Sequence, residues 1–262
     1  MAKPKLLIFI PTYNEAANVG LMCERLLNLG LDADILFLDD NSPDGTGELL
    51  DKLAKEHSNV TIIHRTGKLG IGTAHQEGIA AAYARGYETL VTMDCDFTHS
   101  PEDIPAFLIL GQSRDIVVGN RYQQRESLSD WSLWRRAITK SAHFMTAHLL
   151  GMPEDATGAF RCYDLRKIPH GVFELVAAKG YGFFFESLFV LTRNGYTIGQ
   201  VPIKLSARFL GTSKMSWNEA MRGIRQLFAL KAAATLQPAR YKYRPDPAPE
   251  STSRQDSVTR EH

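Results

Sequence analysis

The 262-residue sequence predicts a single α/β domain built on a mainly parallel sheet, and three features carry that prediction. Short, almost wholly apolar runs alternate with helical stretches through the first third, the pattern of strands buried on both faces and joined by crossover helices. Acidic or polar loops follow several of those runs, at the edge where right-handed crossovers gather the ends of parallel strands. The composition, 44% hydrophobic and 23% charged, is that of an ordinary globular chain and excludes collagen-like, coiled-coil and wholly disordered classes.

Taken in order, Leu6 to Ile10 reads as the first strand and about Glu15 to Leu29 as the first helix. Ala33 to Leu38, Val60 to His64 and Thr89 to Met93 read as further strands, with helices from about Gly45 to His57 and Gly70 to Arg85 between them. The loops Pro11 to Glu15, Asp39 to Thr46 and Asp94 to Pro101 should therefore converge on one sheet edge. After Ile116 to Val118 the alternation stops. Trp131 to Leu150 and Trp217 to Leu236 then read as cationic amphipathic helices, with Arg136 and Lys140 on a solvated face of the first. Beyond Pro238 the residues turn polar and proline-rich, so the domain is expected to span 1–237 and a disordered tail 238–262.

The charges nearly cancel, 30 Lys and Arg against 29 Asp and Glu, so no global field favours nucleic acid and any anion site must be local. Cys23, Cys95 and Cys162 form no CxxC or Cys/His cluster, and the short apolar run after Lys5 is no signal peptide; both point to a cytoplasmic protein. No apolar stretch of about 18 residues escapes interruption by charge, so no transmembrane helix is expected. Trp131, Trp134 and Trp217 fit either a core or a membrane interface.

Asp94-Cys95-Asp96 sets two carboxylates at alternate positions just past a strand, where both can approach one divalent cation bridging a diphosphate. The alternative is a turn before the helix start Ser100-Pro101-Glu102. In Asp39-Asp40-Asn41-Ser42-Pro43-Asp44-Gly45-Thr46 one carboxylate can accept hydrogen bonds from a ribose or base, while Asp44 or Thr46 reads as a helix cap. Neither Pro11-Thr12-Tyr13-Asn14-Glu15 nor Lys68-Leu69-Gly70-Ile71-Gly72 supplies a Rossmann or Walker phosphate loop, which disfavours a dinucleotide oxidoreductase and leaves the phosphates to a metal. Cys95 reads as a small side chain beside that metal. Glu186, set among Phe183-Phe184-Phe185 and Leu188-Phe189, needs either a buried arginine partner or a catalytic vestibule. His57, His64, His75, His99, His143, His148 and His170 have no ligand spacing and read as surface or satisfied core groups.

Together these segments resemble glycosyltransferase family 2, the inverting transferases of GT-A fold, and within it the polyprenyl- and dolichyl-phosphate mannose synthase branch. The likeness runs in order through Gly-Asn-Arg-Tyr at 119–122, Thr-Gly-Ala-Phe-Arg at 157–161, Gly-Tyr-Gly-Phe-Phe-Phe-Glu at 180–186 and Arg-Phe-Leu-Gly-Thr-Ser-Lys at 208–214. The resemblance implies transfer of mannose from GDP-mannose to a polyprenyl phosphate in a membrane. Pro11, Tyr13, Glu15, Leu38 and Asp40 would hold the guanosine. Asp94, Cys95 and Asp96 would hold the diphosphate and its Mg²⁺ or Mn²⁺, with Asp94 and Asp96 the metal ligands. Arg208 and Lys214 would meet the donor phosphates, and Arg121, Arg135 and Thr139 the acceptor phosphate. Cys95 and Thr98 stand where the family often has Ala and Gln or Ser, and many members add C-terminal transmembrane helices. The chain would then sit at the cytoplasmic face of the membrane through its amphipathic helices or through a separate anchoring partner. UDP-glucose as donor, a soluble acceptor, or a non-catalytic nucleotide-binding module peripheral to the membrane are the alternatives.

Overall fold

The computed structural model describes residues 5–124, 133–205 and 217–245. Its centre is β1 (Leu6–Thr12), flanked in parallel by β2 (Ala33–Asp39) and β4 (Thr89–Thr92), with β3 (Val60–His64) pairing in parallel outside β2. Alternate side chains of β1 face opposite ways, so the strand builds two cores. Leu7 and Phe9 pack with Ala74 and Ile79 of α3 (Ile71–Ala84). Ile8 and Ile10 pack with Met22 of α1 (Val19–Asn28) and Leu50 of α2 (Thr46–Glu56). That double burial explains why these strands lack polar alternation.

The second half continues through α4 (Ile104–Gly111), β5 (Ile116–Asn120), α5 (Leu133–Leu150), β6 (Arg161–Asp164), α6 (His170–Phe173), α7 (Gly182–Arg193), β7 (Ile198–Pro202) and α8 (Trp217–Leu236). The sheet order is β3-β2-β1-β4-β6-β5-β7, with β6 antiparallel to both β4 and β5. β6 is invisible in the sequence because its four residues, Arg-Cys-Tyr-Asp, carry a charge at each end, yet all four are buried. Placing β6 between β4 and β5 keeps the ends of β1, β2, β4 and β5 on one edge while the connecting chain returns across it.

Three expectations change. The first helix begins at Val19 rather than near Glu15, because Asn14 takes a left-handed φ of 54° and residues 15–18 form a turn. The tail does not become disordered at 238: residues Pro238–Tyr241 form a 3₁₀ turn, and Tyr241, 3% exposed, packs on Phe189. Asn194 clasps this returning segment, its Nδ2 donating to the Tyr241 carbonyl at 2.8 Å and its Oδ1 accepting from Tyr243 N at 2.8 Å. The expected disorder from 246 onward lies outside the described residues. Finally, among the described residues no arginine forms an ion pair with Glu186; its Oε2 accepts the Ala178 N–H at 2.7 Å, and burial, partly offset by backbone hydrogen bonds, holds its carboxyl above the usual range.

Among the described residues no helix is long and apolar enough to cross a membrane. α5 packs against α8, and the pair leaves Phe144 61% and Phe228 53% exposed, with Met221 and Ile224 also exposed.

Candidate active site

The loops after β1 and β2 are stitched together by short polar side chains. Asn14 N donates to Ser42 Oγ at 2.9 Å, Glu15 N to Thr46 Oγ1 at 2.9 Å and Ala16 N to Asp44 Oδ2 at 3.1 Å. Asp44 also accepts from Thr46 N at 3.1 Å, so Asp44 and Thr46 do more than cap α2: they tie two loops to each other. Asp39 points inward and accepts from Thr12 Oγ1 at 3.2 Å and from Ser42 N at 3.0 Å. Its neighbour Asp40 meets Arg65 Nη1 at 2.7 Å, and burial, partly offset by that arginine, holds the Asp40 carboxyl above its usual range. Arg65 is itself fixed by Thr73 Oγ1 at 2.6 Å and Glu77 Oε2 at 3.3 Å. Tyr13 carries the Lys68 ammonium 4.3 Å from its ring centroid.

Of the residues expected at the nucleotide, Pro11, Tyr13, Glu15 and Asp40 stand on this edge. Leu38 is fully buried and its carbonyl accepts the Thr12 hydroxyl, so its part is to carry Asp39 and Asp40. The glycines of Lys68 to Gly72 serve packing rather than phosphate: a Cβ on Gly72 would lie 2.7 Å from the Lys179 carbonyl carbon.

After β4 the chain turns sharply, with Phe97 at φ 58°. Asp96 Oδ1 accepts both Thr98 N, at 3.1 Å, and Thr98 Oγ1, at 2.6 Å, which fixes the rotation of its carboxylate. Asp94 remains 38% exposed in its side chain and Cys95 is buried beneath. The Asp94 N–H donates to Nδ1 of His99 at 3.3 Å. His99 is buried, its ring tilted 38° against Phe160 at 5.3 Å, and burial pushes its imidazole down to about 4 although Asp96 pulls the other way. It is therefore neutral at physiological pH, and its field neighbours, Asp96, Arg121 and Asp155, mark where the β4 and β5 loops meet.

Arg121, one residue past β5, donates from Nε to Asp155 Oδ2 at 2.6 Å. Burial opposes its charge, but Asp155 more than compensates, and Asp94 adds to the same effect. With Nε committed to Asp155, the Nη groups are the donors available to a ligand. Tyr122 stacks on His143 of α5 at 4.1 Å and donates to the Thr139 carbonyl at 3.1 Å, which ties α5 to the Arg121 loop. Arg135 falls within α5, but its side chain lies outside the described residues, as do Arg208 and Lys214.

The edge thus gathers oxygen donors from Asp94 and Asp96 beside a fixed guanidinium. Among the described residues no group of three or more His, Cys, Asp or Glu side chains is arranged to hold a metal alone. Two hard carboxylates fit a divalent cation that completes its shell with phosphate oxygens and water, as Mg²⁺ and Mn²⁺ do.

Two residues that build the site escape the sequence reading. Arg65 directly follows β3, where the strand-end rule marks it. Asp155 stands two residues before the Thr157-Gly158 motif. His99, read as a surface or satisfied core group, is a buried histidine with Nδ1 accepting from Asp94 N.

The model of Glycosyl transferase family 2 matches residues 7–168. The chain is 36% identical over 213 residues to the undecaprenyl-phosphate mannosyltransferase of Micrococcus luteus, spanning 81% of this chain and 88% of the relative. It is 36% identical over 215 residues to the polyprenol monophosphomannose synthase of Mycolicibacterium smegmatis, spanning 81% of each. The crystal structure of S. aureus TarS superposes with a TM-score of 0.50 at 16% identity, over 89% of this chain and 40% of that one, a likeness of fold alone.

Proposed function

The chain belongs to glycosyl transferase family 2, and with that membership as premise we propose that it moves mannose from GDP-mannose to the phosphate of a polyprenol at a membrane surface. The observation that carries the reading is the meeting of Asp94 and Asp96 with Arg121 around the buried His99 at one sheet edge. The names of the two relatives support the mannosyl group and the polyprenyl acceptor.

A polyprenyl phosphate is already an anionic nucleophile, so attack at the anomeric carbon with inversion needs no strong general base. Positioning and charge compensation of the leaving diphosphate supply the catalysis. Asp94 and Asp96 would hold a divalent cation, which when bound polarises the leaving diphosphate. Pro11, Tyr13, Glu15 and Asp40 would seat the guanosine, with Cys95 filling the space beneath the metal loop. Arg208 and Lys214 would reach the donor phosphates. Arg121, held by Asp155, would present its Nη groups to the acceptor phosphate together with Arg135 and Thr139. Exposed Phe144, Met221, Ile224 and Phe228 on α5 and α8 support a peripheral seat on the cytoplasmic face of the membrane.

The deciding experiment offers the purified protein labelled GDP-mannose, GDP-glucose and UDP-glucose with Mg²⁺ or Mn²⁺ and a short polyprenyl phosphate, followed by lipid extraction. Mannolipid from GDP-mannose alone is the expected outcome; glucolipid from UDP-glucose, or no lipid product from any donor, sinks the reading. Sedimentation with anionic liposomes at low and high salt tests the peripheral seat, since attraction to anionic head groups weakens as salt screens it. A protein left in the supernatant at every salt concentration contradicts that seat and implies a separate membrane partner.

A further inference from the structure

Arg161, at the start of β6, is fully buried beneath the sheet edge, and among the described residues no carboxylate pairs with it. Burying an unpaired cation is costly unless its donors are satisfied, and here they are met by neutral oxygens. Nε donates to the Gly158 carbonyl at 3.0 Å, and Nη2 to the Ala156 carbonyl at 3.0 Å and the Phe184 carbonyl at 2.6 Å. Nη1 donates to Ser187 Oγ at 2.9 Å and meets the Tyr163 hydroxyl at 3.5 Å. Apart from Tyr163 on β6 itself, these acceptors belong to two separate segments, the loop 156–158 and the helix α7. A planar fork of five N–H groups can span both, which the compact ammonium of lysine cannot.

The loop so clamped is the one that aims Arg121. Asp155 precedes the first clamped carbonyl and takes Arg121 Nε at 2.6 Å, while a Cβ on Gly158 would lie 3.1 Å from Arg121 Nη2. We infer that Arg161 is a positioning residue for transfer: by fixing residues 156–158 to α7 it sets the direction in which Arg121 presents its donors. This rests on the proposed role of Arg121 at the acceptor phosphate.

The test compares Arg161→Lys and Gly158→Ala with Arg121→Lys and with Val60→Ala, a destabilising control on the far edge strand, in steady-state kinetics with both substrates varied. The Gly158→Ala variant crowds Arg121 Nη2 from within the clamped loop, whose carbonyl at 158 is one of the Arg161 acceptors, so the dependence of transfer on that loop's geometry stays testable even if Arg161→Lys folds poorly. Arg161→Lys is expected to lower kcat at least tenfold and raise the acceptor KM severalfold while the donor KM stays within twofold. Gly158→Ala should move the same two constants less, and Val60→Ala neither, at the same loss of Tm. If Arg121→Lys leaves acceptor kinetics unchanged, the reading of Arg121 falls and this inference with it. If Arg121→Lys is impaired while Arg161→Lys and Gly158→Ala keep wild-type constants, or if Val60→Ala reproduces their losses, the inference alone is overturned.

Discussion

The two halves of the site edge are held by different physics. After β1 and β2, loops are joined by hydroxyls and carboxylates that accept one another's backbone N–H groups, two of the three bonds exposed and the Glu15–Thr46 bond buried, all within a few residues of each strand end. After β5 and before β6, the framework is a chain of buried charges running from Arg161 through loop 155–158 to Arg121. A lattice of many modest hydrogen bonds loses little when one is removed, whereas a buried charge left without its partner keeps its full desolvation cost. Outside its own buried Asp40–Arg65 pair, the donor edge should therefore tolerate substitution better than the acceptor edge.

The metal loop lies between the two halves and sets the scale. Asp96→Ala is expected to lower turnover about a thousandfold or more, because it removes a ligand of the cation that compensates the charge of the leaving group. Full activity of this variant, or of the wild type in EDTA, breaks the assignment. Next in size, Asp155→Asn should cost about 3 kcal/mol of stability, read as a lower urea midpoint, by leaving the Arg121 cation uncompensated. Thr46→Val makes the matching cut in the donor half, removing the acceptor of the Glu15 N–H, and about 1 kcal/mol is expected. Equal losses in the two variants would erase the contrast.

The smallest effect at neutral pH comes from His75, buried among Phe9, Phe183 and Phe184 and pushed down to about 3 by burial and then by Arg161. Its Nε2 has no hydrogen-bond partner among the described residues, contrary to the expectation of a satisfied core histidine. Because the unfolded chain binds this proton near pH 6.5 and the folded chain only near 3, the unfolded state holds more protons across that interval. Stability is then full above about pH 6.5 and falls as the pH drops toward 3. His75→Phe should flatten that acid slope in urea titrations at several pH values; an unchanged slope would assign it to other groups, with His99 the first to examine.

The same contrast governs what the sequence made legible. β1 to β4 and the loops behind them could be read because strand period, crossover handedness and strand-end position are local rules, and the residues they mark lie close in sequence. Even there the strand-end rule marks Arg65 but not the pair it forms, because its partner Asp40 is 25 residues away. In the second half the informative contacts are long-range: Arg161 reaches Phe184 across 23 residues and Arg121 reaches Asp155 across 34. A four-residue antiparallel strand with charged ends gives no periodic signal, and the burial of Arg161 and His99 exists only after the sheet has closed around them. The tail boundary failed for a similar reason, because Tyr241 and Tyr243 anchor a stretch whose composition is polar, Tyr241 on the Phe189 of α7 and Tyr243 at the edge of the same core.

The anchoring of that returning segment makes α8 a lever. Leu227 and Leu230 are sunk in the core and Tyr241 is clasped below them, so the helix is gripped along its C-terminal part. From Leu227 back to Trp217 the helix runs a further ~15 Å, at 1.5 Å per residue. Met221 and Ile224 on that stretch are exposed, so a force applied there by an apolar surface acts at the long end of the arm. A tilt of about 10° would carry that end by roughly 2.5 Å over this length. The chain that enters α8 there bears Arg208 and Lys214, the two cations proposed above to meet the donor phosphates.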